Sequence, residues 1–577
     1  MDMRLKSLRP CKEGFLMMLP KKWGQGQLFA FSALDGLSYT SDDFVGMLSG
    51  DRIGVRFFTK IKRELALVNV FGKNLEFDAV TSDYISLHFP QQESMRIIYA
   101  KHRLVIGNVA GEVVPVMFTE GLYDLSIRDG AEIHNSKNGE FTAIKRQGAR
   151  FALAYGHSEE EVLALVNEGL AMDMDAEEQK KLAFFEKHCA HQPEEYADLY
   201  AKCLSVMKTQ LYSPEANFTT IWSTPDRLPH KHLWLWDSVF HALGHRHISP
   251  VLGEDLIRAI WANQSENGFV PHMADVDVKS DITQPPVIAW GSWQVYKVSG
   301  NKEFLQQAYE NNARFLKWCQ ENRRKCEMEL YTWKTTEDAN CRCDECGMDN
   351  SPRFDVKEPL YAIDFSCFMA NDVRHMALMA RELGRADEAA FYEAWFKKIA
   401  ADVNEWLWSE EDQFYFDYHI SAKKLHKVWS VASFLPLFSG VCNERQAAAL
   451  VKELENPESF GTPFPIPSIS QKDETFGSDM WRGPVWINYN YMISLGLKEY
   501  GYEQLGREII EKTIFFMNSW YQENGTIYEF YDSSNKKAPN RQNRKGLPFE
   551  PYNIQVRLQP IRDYGWSCTL LFDLLHK

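Results

Sequence analysis

A change of period near residue 175 limits what this chain can fold into more than any other feature. Beyond it, Tyr196, Leu199, Tyr200, Cys203, Leu204, Met207 and Leu211 fall at i, i+3, i+4, i+7, i+8, i+11 and i+15. That is the apolar stripe of an amphipathic helix. Similar stretches follow at roughly 236–246, 250–265, 284–299, 302–321, 360–383, 385–407, 428–438, 443–454, 485–500, 502–519 and 563–576, about twelve in all. Gly384-Arg385 and Gly501-Tyr502 mark tight helix-to-helix turns, with Gly as the C-terminal cap. Helices joined alternately by short and long connections fit a toroid of six helical hairpins.

Before that point the period is two. Ile85, Leu87 and Phe89 alternate with Tyr84, Ser86 and His88, as in a half-buried strand. Short β-rich runs recur at Gly54–Phe58, Met95–Tyr99, Leu104–Ile106, Val113–Phe118 and Phe151–Tyr155, with Asp129-Gly130 and Asn138-Gly139 as turns between the later ones. Several short strands with turns predict an antiparallel β-sandwich. A length of 577 residues also exceeds one ordinary core. The expected organisation is a β-sandwich over 1–172, a linker with a helix over 173–194 and a helical domain over 195–577.

Charge and composition exclude several functions. A net charge of −15, with no Lys/Arg-rich run seen to offset it, argues against nucleic acid as a partner. No apolar run approaches the ~18 residues of a membrane span. The N-terminus has charge without an apolar signal core behind it, and the 11 cysteines are an odd, scattered set. The expectation is a cytoplasmic protein with reduced thiols. Aromatics reach 13%, with 17 Trp, many beside Asp, Arg, His or Asn. Apolar faces next to polar groups are what a sugar pocket needs, so the expected partner is a small carbohydrate.

The unusual sequence lies in the long connections. In 331–355, which includes Trp333, Lys334 and Arg353, Asp349 stands between Met348 and the turn Asn-Ser-Pro. Partial desolvation there suits a general acid, although Asp-Asn-Ser-Pro alone is an ordinary turn. After Asn524-Gly525, a strong hairpin signal, the run Tyr528-Glu529-Phe530-Tyr531 alternates as a strand, with Glu529 and Tyr531 on one face. Trp481, Arg482, Trp486 and Asn488 cluster where Pro484 opens a helix. Trp234, Trp236 and Asp237, then His272, then Gln284 sit at other helix starts or ends. Any one of these could be structural; four such clusters on one helical scaffold are hard to explain by core packing.

Gly347-Met348-Asp349-Asn350-Ser351-Pro352-Arg353, Trp481-Arg482-Gly483-Pro484-Val485-Trp486 and Tyr528-Glu529-Phe530-Tyr531, in that order, resemble glycoside hydrolase family 63 over roughly residues 195–577. That family includes α-glucosidases and mannosylglycerate and glucosylglycerate hydrolases. The resemblance implies an (α/α)6 barrel, preceded in larger bacterial members by a β-sandwich. It implies Asp349 as general acid and Glu529 as general base. It also implies inversion at the anomeric centre, with the two carboxyls about 6.5–9.5 Å apart. Trp236, Asp237, Gln284, Trp481 and Arg482 match positions lining the family's non-reducing sugar subsite. Arg353 or Lys334 could meet a glycerate carboxylate. Cys346 departs from the small Ser common in the family.

No cofactor or metal is expected. Cys326, Cys341, Cys343 and Cys346 lack the second paired knuckle of a zinc site, and Asp275, Asp277 and Asp281 lack the Gly of a calcium loop. The expected activity is that of an inverting, exo-acting α-glycosidase, first of all an α-glucosidase, on a small oligosaccharide or glycosyl conjugate, with mannosyl- or glucosylglycerate or trehalase-like hydrolysis as alternatives. A sugar isomerase using His232, His241, His245 or His272 would give Glu529 no role, and a non-catalytic sugar binder would not need both carboxylates.

Overall fold

The computed structural model describes residues 19–40, 44–48, 54–59, 63–68, 76–88, 95–109, 114–119, 121–546 and 559–576. The chain divides into two compact units. One runs to Thr209 and takes in Asn524–Thr526 and Leu575–Lys577; the other holds Gln210–Glu523 and Ile527–Leu574.

The first unit contains two antiparallel sheets. Leu28–Phe29, Val45–Leu48, Gly54–Phe58, Arg63–Val68 and Val114–Thr119 pair in that order. A second sheet of eight strands runs from Asp124–Arg128 at one edge to Glu76–Val80 at the other. Phe29, Phe57 and Val55 from the first and Ile85, Ile97, Val105 and Leu153 from the second share one apolar cluster. Asp129 and Gly130, both at positive φ, join strands paired through Arg128 and Ala131, the turn expected of an Asp-Gly hairpin. The expected strands at 54–58, 95–99, 104–106 and 151–155 are present. Phe89 and Val113 lie outside the described residues.

Two expectations for this unit change. Tyr84, Ile85, Ser86 and Leu87 are all buried, so the strand Tyr84–His88 is covered on both faces. The helix Met174–His188 lies over this sheet, and its Glu178 accepts from the Tyr84 hydroxyl. The β region also ends early, at Gly156, and a helix occupies Glu159–Ala171. Ser158 starts it by accepting from Glu161 N at 3.1 Å, an N-cap signal already present in Ser-Glu-Glu-Glu. The stretch expected as a linker is mostly the helix Met174–His188, and the helix Ala197–Thr209, expected in the second region, groups with the first.

In the second unit the expected helices appear as Leu235–His245, Pro250–Trp261, Ile288–Ser299, Lys302–Arg323, Ile363–Glu382, Ala386–Trp406, Leu435–Ser439, Glu444–Glu455, Ile487–Glu499, Glu503–Asn524 and Gly565–Leu575. The weakest match is 428–438, where a single 3-10 turn, Val431–Phe434, leads into the short helix Leu435–Ser439. Five alternate helices pack one on the next. Leu235–His245 meets Ile288–Ser299, which meets Ile363–Glu382, then Leu435–Ser439, then Ile487–Glu499. Pro250–Trp261, Lys302–Arg323 and Ala386–Trp406 each pack back on the helix before them. Buried Asp372 of Ile363–Glu382 accepts from Ala289 N at 2.9 Å and Trp290 N at 3.0 Å. It thus serves amides of the neighbouring helix's first turn that have no partner within their own helix.

Candidate active site

Most residues of chemical interest stand at one end of that inner row of helices, in the segments that enter each of them. The segment before Ile363–Glu382 carries Asp349 and is held by a buried ion on either side. Glu345, fully buried, accepts from Thr283 N at 3.1 Å and Lys334 N at 2.6 Å, and pairs with Arg323. Arg353, also fully buried, bonds Asp364 at 2.6 and 2.9 Å and Asp417 at 2.8 Å twice. A buried guanidinium forked onto two carboxylates fixes geometry more firmly than a surface pair would. Asp349 itself stays about a fifth exposed, with its Oδ2 2.7 Å from Lys545 Nζ.

Glu529 reaches the same place differently. The expected hairpin at Asn524-Gly525 is a helix end instead: the helix runs to Asn524, and Gly525 follows at φ 70°. The amphipathic stripe overrides the turn signal, and Gly supplies the left-handed residue that ends the helix. Glu529 then lies in irregular chain, not a strand. Its N donates to Ile561 O at 3.2 Å, and its Oε1 accepts from Ile561 N at 3.1 Å. Arg544 Nε also donates to Oε1. Glu529 is 1% exposed.

Asp349, Glu529, Trp234, Trp236, Asp237, Gln284, Trp481 and Trp486 line one cavity of about 60 Å³. Trp481 and Trp486 stack at 3.9 Å between ring centroids, and Asn350 Oδ1 accepts from Trp481 N at 3.0 Å, which ties this stack to the segment carrying Asp349. Gln284 Oε1 accepts from Trp236 N at 3.2 Å. Gly347, at φ 74°, has the Trp236 ring 2.3 Å from where a Cβ would stand, so only Gly lets the strand of chain pass so close to the ring. The indole N–H groups of Trp234, Trp481 and Trp566 are buried with no hydrogen-bond partner among the described residues. Buried donors are normally satisfied, so three unpartnered indoles on one cavity wall stand out.

Electrostatics divide the wall. Burial, helped by nearby Asp226 and Asp349 and opposed by the Tyr564 hydroxyl bond, pushes Asp237 up to about 8, so it holds its proton at neutral pH. Tyr564 donates to its Oδ1 at 3.3 Å. His272, behind Trp234 with ring centroids 5.1 Å apart, is pushed down to about 4 by burial and is neutral there.

Trp333, Arg482, Tyr531, Asn488 and Lys334 are not on the wall of that cavity. Trp333 stacks on Phe365 at 3.9 Å and donates to Asp364 at 2.8 Å, beside the buried Arg353. Arg482 pairs with Asp355 at the surface. Tyr531 accepts from Tyr528 N at 2.9 Å through its hydroxyl and packs on Phe464, while Asn488 is fully buried in the helix Ile487–Glu499. Lys334 pairs with Asp281. The cation beside Asp349 is therefore Lys545, not Arg353 or Lys334. Of the histidines considered for an isomerase, His232, His241, His245 and His272 are all absent from the cavity wall; His230, held by Asp226 at 2.6 Å, is on it.

Sequence reading missed His230, Arg544, Tyr564 and Trp566 on this wall. Arg544 and Lys545 close the run Lys536 to Lys545, five of whose ten residues are Lys or Arg, so a basic run does exist and was a usable signal. The four cysteines do not gather. Cys326 meets the Tyr361 hydroxyl, Cys341 meets Lys545, and Cys346 bonds the Cys343 carbonyl. Among the described residues, the possible donor atoms that converge are those of Cys341, Asp344 and Asp349, within 4.8 Å of one another. The cation they hold is the Lys545 ammonium.

A family model described as the mannosylglycerate hydrolase MGH1-like glycoside hydrolase domain matches residues 230–567, more than half of the chain. The chain belongs to this family of glycoside hydrolases. A mannosylglycerate hydrolase of Thermus thermophilus is 24% identical over 388 residues, covering 52% of this chain and 88% of that enzyme. A protein of Borreliella burgdorferi is 25% identical over 261 residues, 45% of this chain and 52% of its own length. A solved structure, a GH63 mannosylglycerate hydrolase from Thermus thermophilus in complex with Tris, superposes with a TM-score of 0.53 at 21% identity, over 65% of this chain and 99% of that one. Members of this glycoside hydrolase family act on glycosidic bonds. No helix among the described residues is long and apolar enough to cross a membrane.

Proposed function

We propose that the chain is an inverting, exo-acting α-glycosidase of a small glycosyl conjugate, with Asp349 as general acid and Glu529 as general base. One observation carries this reading: two carboxylates from separate segments face a single cavity walled by five tryptophans, of which Trp234, Trp481 and Trp566 have indole N–H groups without a partner among the described residues. In an inverting reaction one carboxyl protonates the leaving oxygen while the other deprotonates a water on the opposite face of the sugar. Asp349, a fifth exposed, suits the side where the leaving group departs; Glu529, deeply buried, suits the side where one water is held. The cavity exceeds the ~10–15 Å³ that a single water needs.

The row of inner helices supports an (α/α)6 toroid, and the two sheets of the first unit support the β-sandwich reading. The curated mannosylglycerate hydrolases and the family model make glycosylglycerates the first substrates to test, ahead of α-glucosides and trehalose. Asp349→Asn and Glu529→Gln should each lower hydrolysis by about 10²–10⁴-fold and leave the fold intact. Turnover close to wild type in both variants sinks the assignment. A panel of α-linked disaccharides and glycosylglycerates followed by NMR reports the bond and the anomer together. Early β-anomer supports inversion, and early α-anomer overturns it.

A further inference from the structure

Arg544 and Lys545 are consecutive, yet they engage opposite carboxylates. Arg544, 4% exposed, bonds Glu529, and the Lys545 ammonium sits between Asp349 Oδ2 and Cys341 Sγ, 2.7 Å from each. Lys545 adopts φ 58°, a left-handed conformation costly for a residue with a Cβ. The structure around it enforces that turn. Asp479 clasps the backbone with both oxygens, Oδ1 accepting from Lys545 N at 2.7 Å and Oδ2 from Gly546 N at 2.8 Å. Met480 N donates to Asn543 O at 3.2 Å, so the clasp is continuous with the stacked tryptophan segment. The strained turn directs two neighbouring cations to two carboxylates.

We propose that Arg544-Lys545, clasped by Asp479, is one positioning unit that holds the general base and the general acid in register, each cation paired with its own carboxylate. This rests on the assignment of Asp349 and Glu529 above. Asp349 is also faced by Asp344, Cys341, His272, Asp237 and Arg544, and Glu529 by Tyr564. Burial chiefly pushes the Cys341 thiol up to about 12 and Asp237 up to about 8, and pushes His272 down to about 4, so none of these three is charged near neutrality. Asp344, raised to about 7 by burial and then by Asp349, is the group that competes with Lys545. Asp349 in turn raises Lys545, and Glu529 raises Arg544, both against the effect of burial. The attraction is mutual, so the pH profile of a variant lacking one cation reads that ion pair alone.

The test is the pH profile of kcat, which reports groups in the substrate complex and leaves binding losses to KM. The acid must carry a proton, so removing its cation with Lys545→Met should move the alkaline limb up by about 1–3 pH units and leave the acidic limb in place. The base must lack a proton, so Arg544→Gln should move the acidic limb up and leave the alkaline one. Lys545→Arg should restore the alkaline limb. Arg544→Gln leaves a buried carboxylate unpaired and can fail to fold. In that case Asp479→Ala decides, since it keeps both cations but frees the turn between them and should move both limbs up together by less. Unmoved limbs in Lys545→Met and Asp479→Ala, or both limbs moving in Lys545→Met, overturn the proposal. It falls alone if Asp349→Asn and Glu529→Gln still abolish turnover; if those two remain active, the assignment beneath it has fallen first.

Discussion

At the Glu529 end of the cavity the carboxylate is anchored directly. The carboxylate is 1% exposed, fixed by Ile561 N and Arg544, and the chain beside it is pinned where Tyr531 and Val485 exchange backbone bonds of 2.7 and 3.1 Å. At the Asp349 end the anchoring is one step removed. Glu345 and Arg353 hold the segment from four residues away on either side, while Asp349 keeps about a fifth of its surface and its carboxyl meets the Lys545 ammonium. The difference matches the two tasks proposed for these carboxylates. A group that orients one water gains from being fixed and dry, whereas a group that meets a departing fragment needs access. Rigid anchoring at a distance with local freedom at the carboxyl meets the second need.

The largest expected effect separates the two ends directly. Glu529→Gln should cost about 10³–10⁴-fold in kcat whatever the leaving group. Asp349→Asn should cost as much on an alkyl glycoside but little on a nitrophenyl glycoside, whose leaving group needs no proton. Equal losses on both substrates in both variants would break the comparison. Next in size is Gly347→Ala, which pushes a methyl group into the Trp236 ring and displaces the acid's segment without touching either carboxyl. It should lower kcat/KM by about 100-fold, as small misplacements of catalytic groups do, and a crystal structure should show the Trp236 ring moved. A loss at this position below threefold would mean the segment adapts more freely than the anchors imply.

The smallest effect on rate, but a measurable one on stability, is expected at Asp237. Its carboxyl, at about 8 in the fold, keeps its proton while the unfolded chain loses it near 4. Between those values the unfolded state binds fewer protons, so raising the pH removes stability from the wild type. Asp237→Asn lacks that titration and should become relatively more stable by on the order of a few kcal/mol from pH 4 to pH 8, with no further change above. Denaturant melts across that range read the difference, and a constant gap between the two proteins contradicts a protonated Asp237.

The helices were legible because their stripes are local: each is an amphipathic period that one stretch of sequence carries alone. The helix Glu159–Ala171 had its cap signal in Ser158 and three glutamates, but it follows a strand-rich stretch, and the period changed earlier than the reading placed it. At Asn524-Gly525 a local hairpin rule competed with a helix stripe and lost. Asp349 and Glu529 could be named because their motifs resemble a family's, not because either is unusual alone. The place of Arg353, expected as a cation for a glycerate carboxylate, was not legible because a guanidinium looks the same in sequence whether it faces a cavity or Asp364. Arg544, Tyr564 and Trp566 could not be placed, since only tertiary folding brings 544–566 to the segment at 349.

The hydrogen bond from Lys334 N to Glu345 closes the neck of the segment between them, and Thr336 N bonds Arg342 O at 2.8 Å inside it. Residues 335–344 therefore leave and re-enter the frame at one pinned point, upstream of Asp349. Such a stretch is anchored at its neck, so a change in its length or composition need not shift Asp349. What changes with it is the canopy above that acid, which here brings Cys341 to Lys545. New leaving-group preferences could then be acquired by trading this stretch while the sugar-holding walls stay as they are.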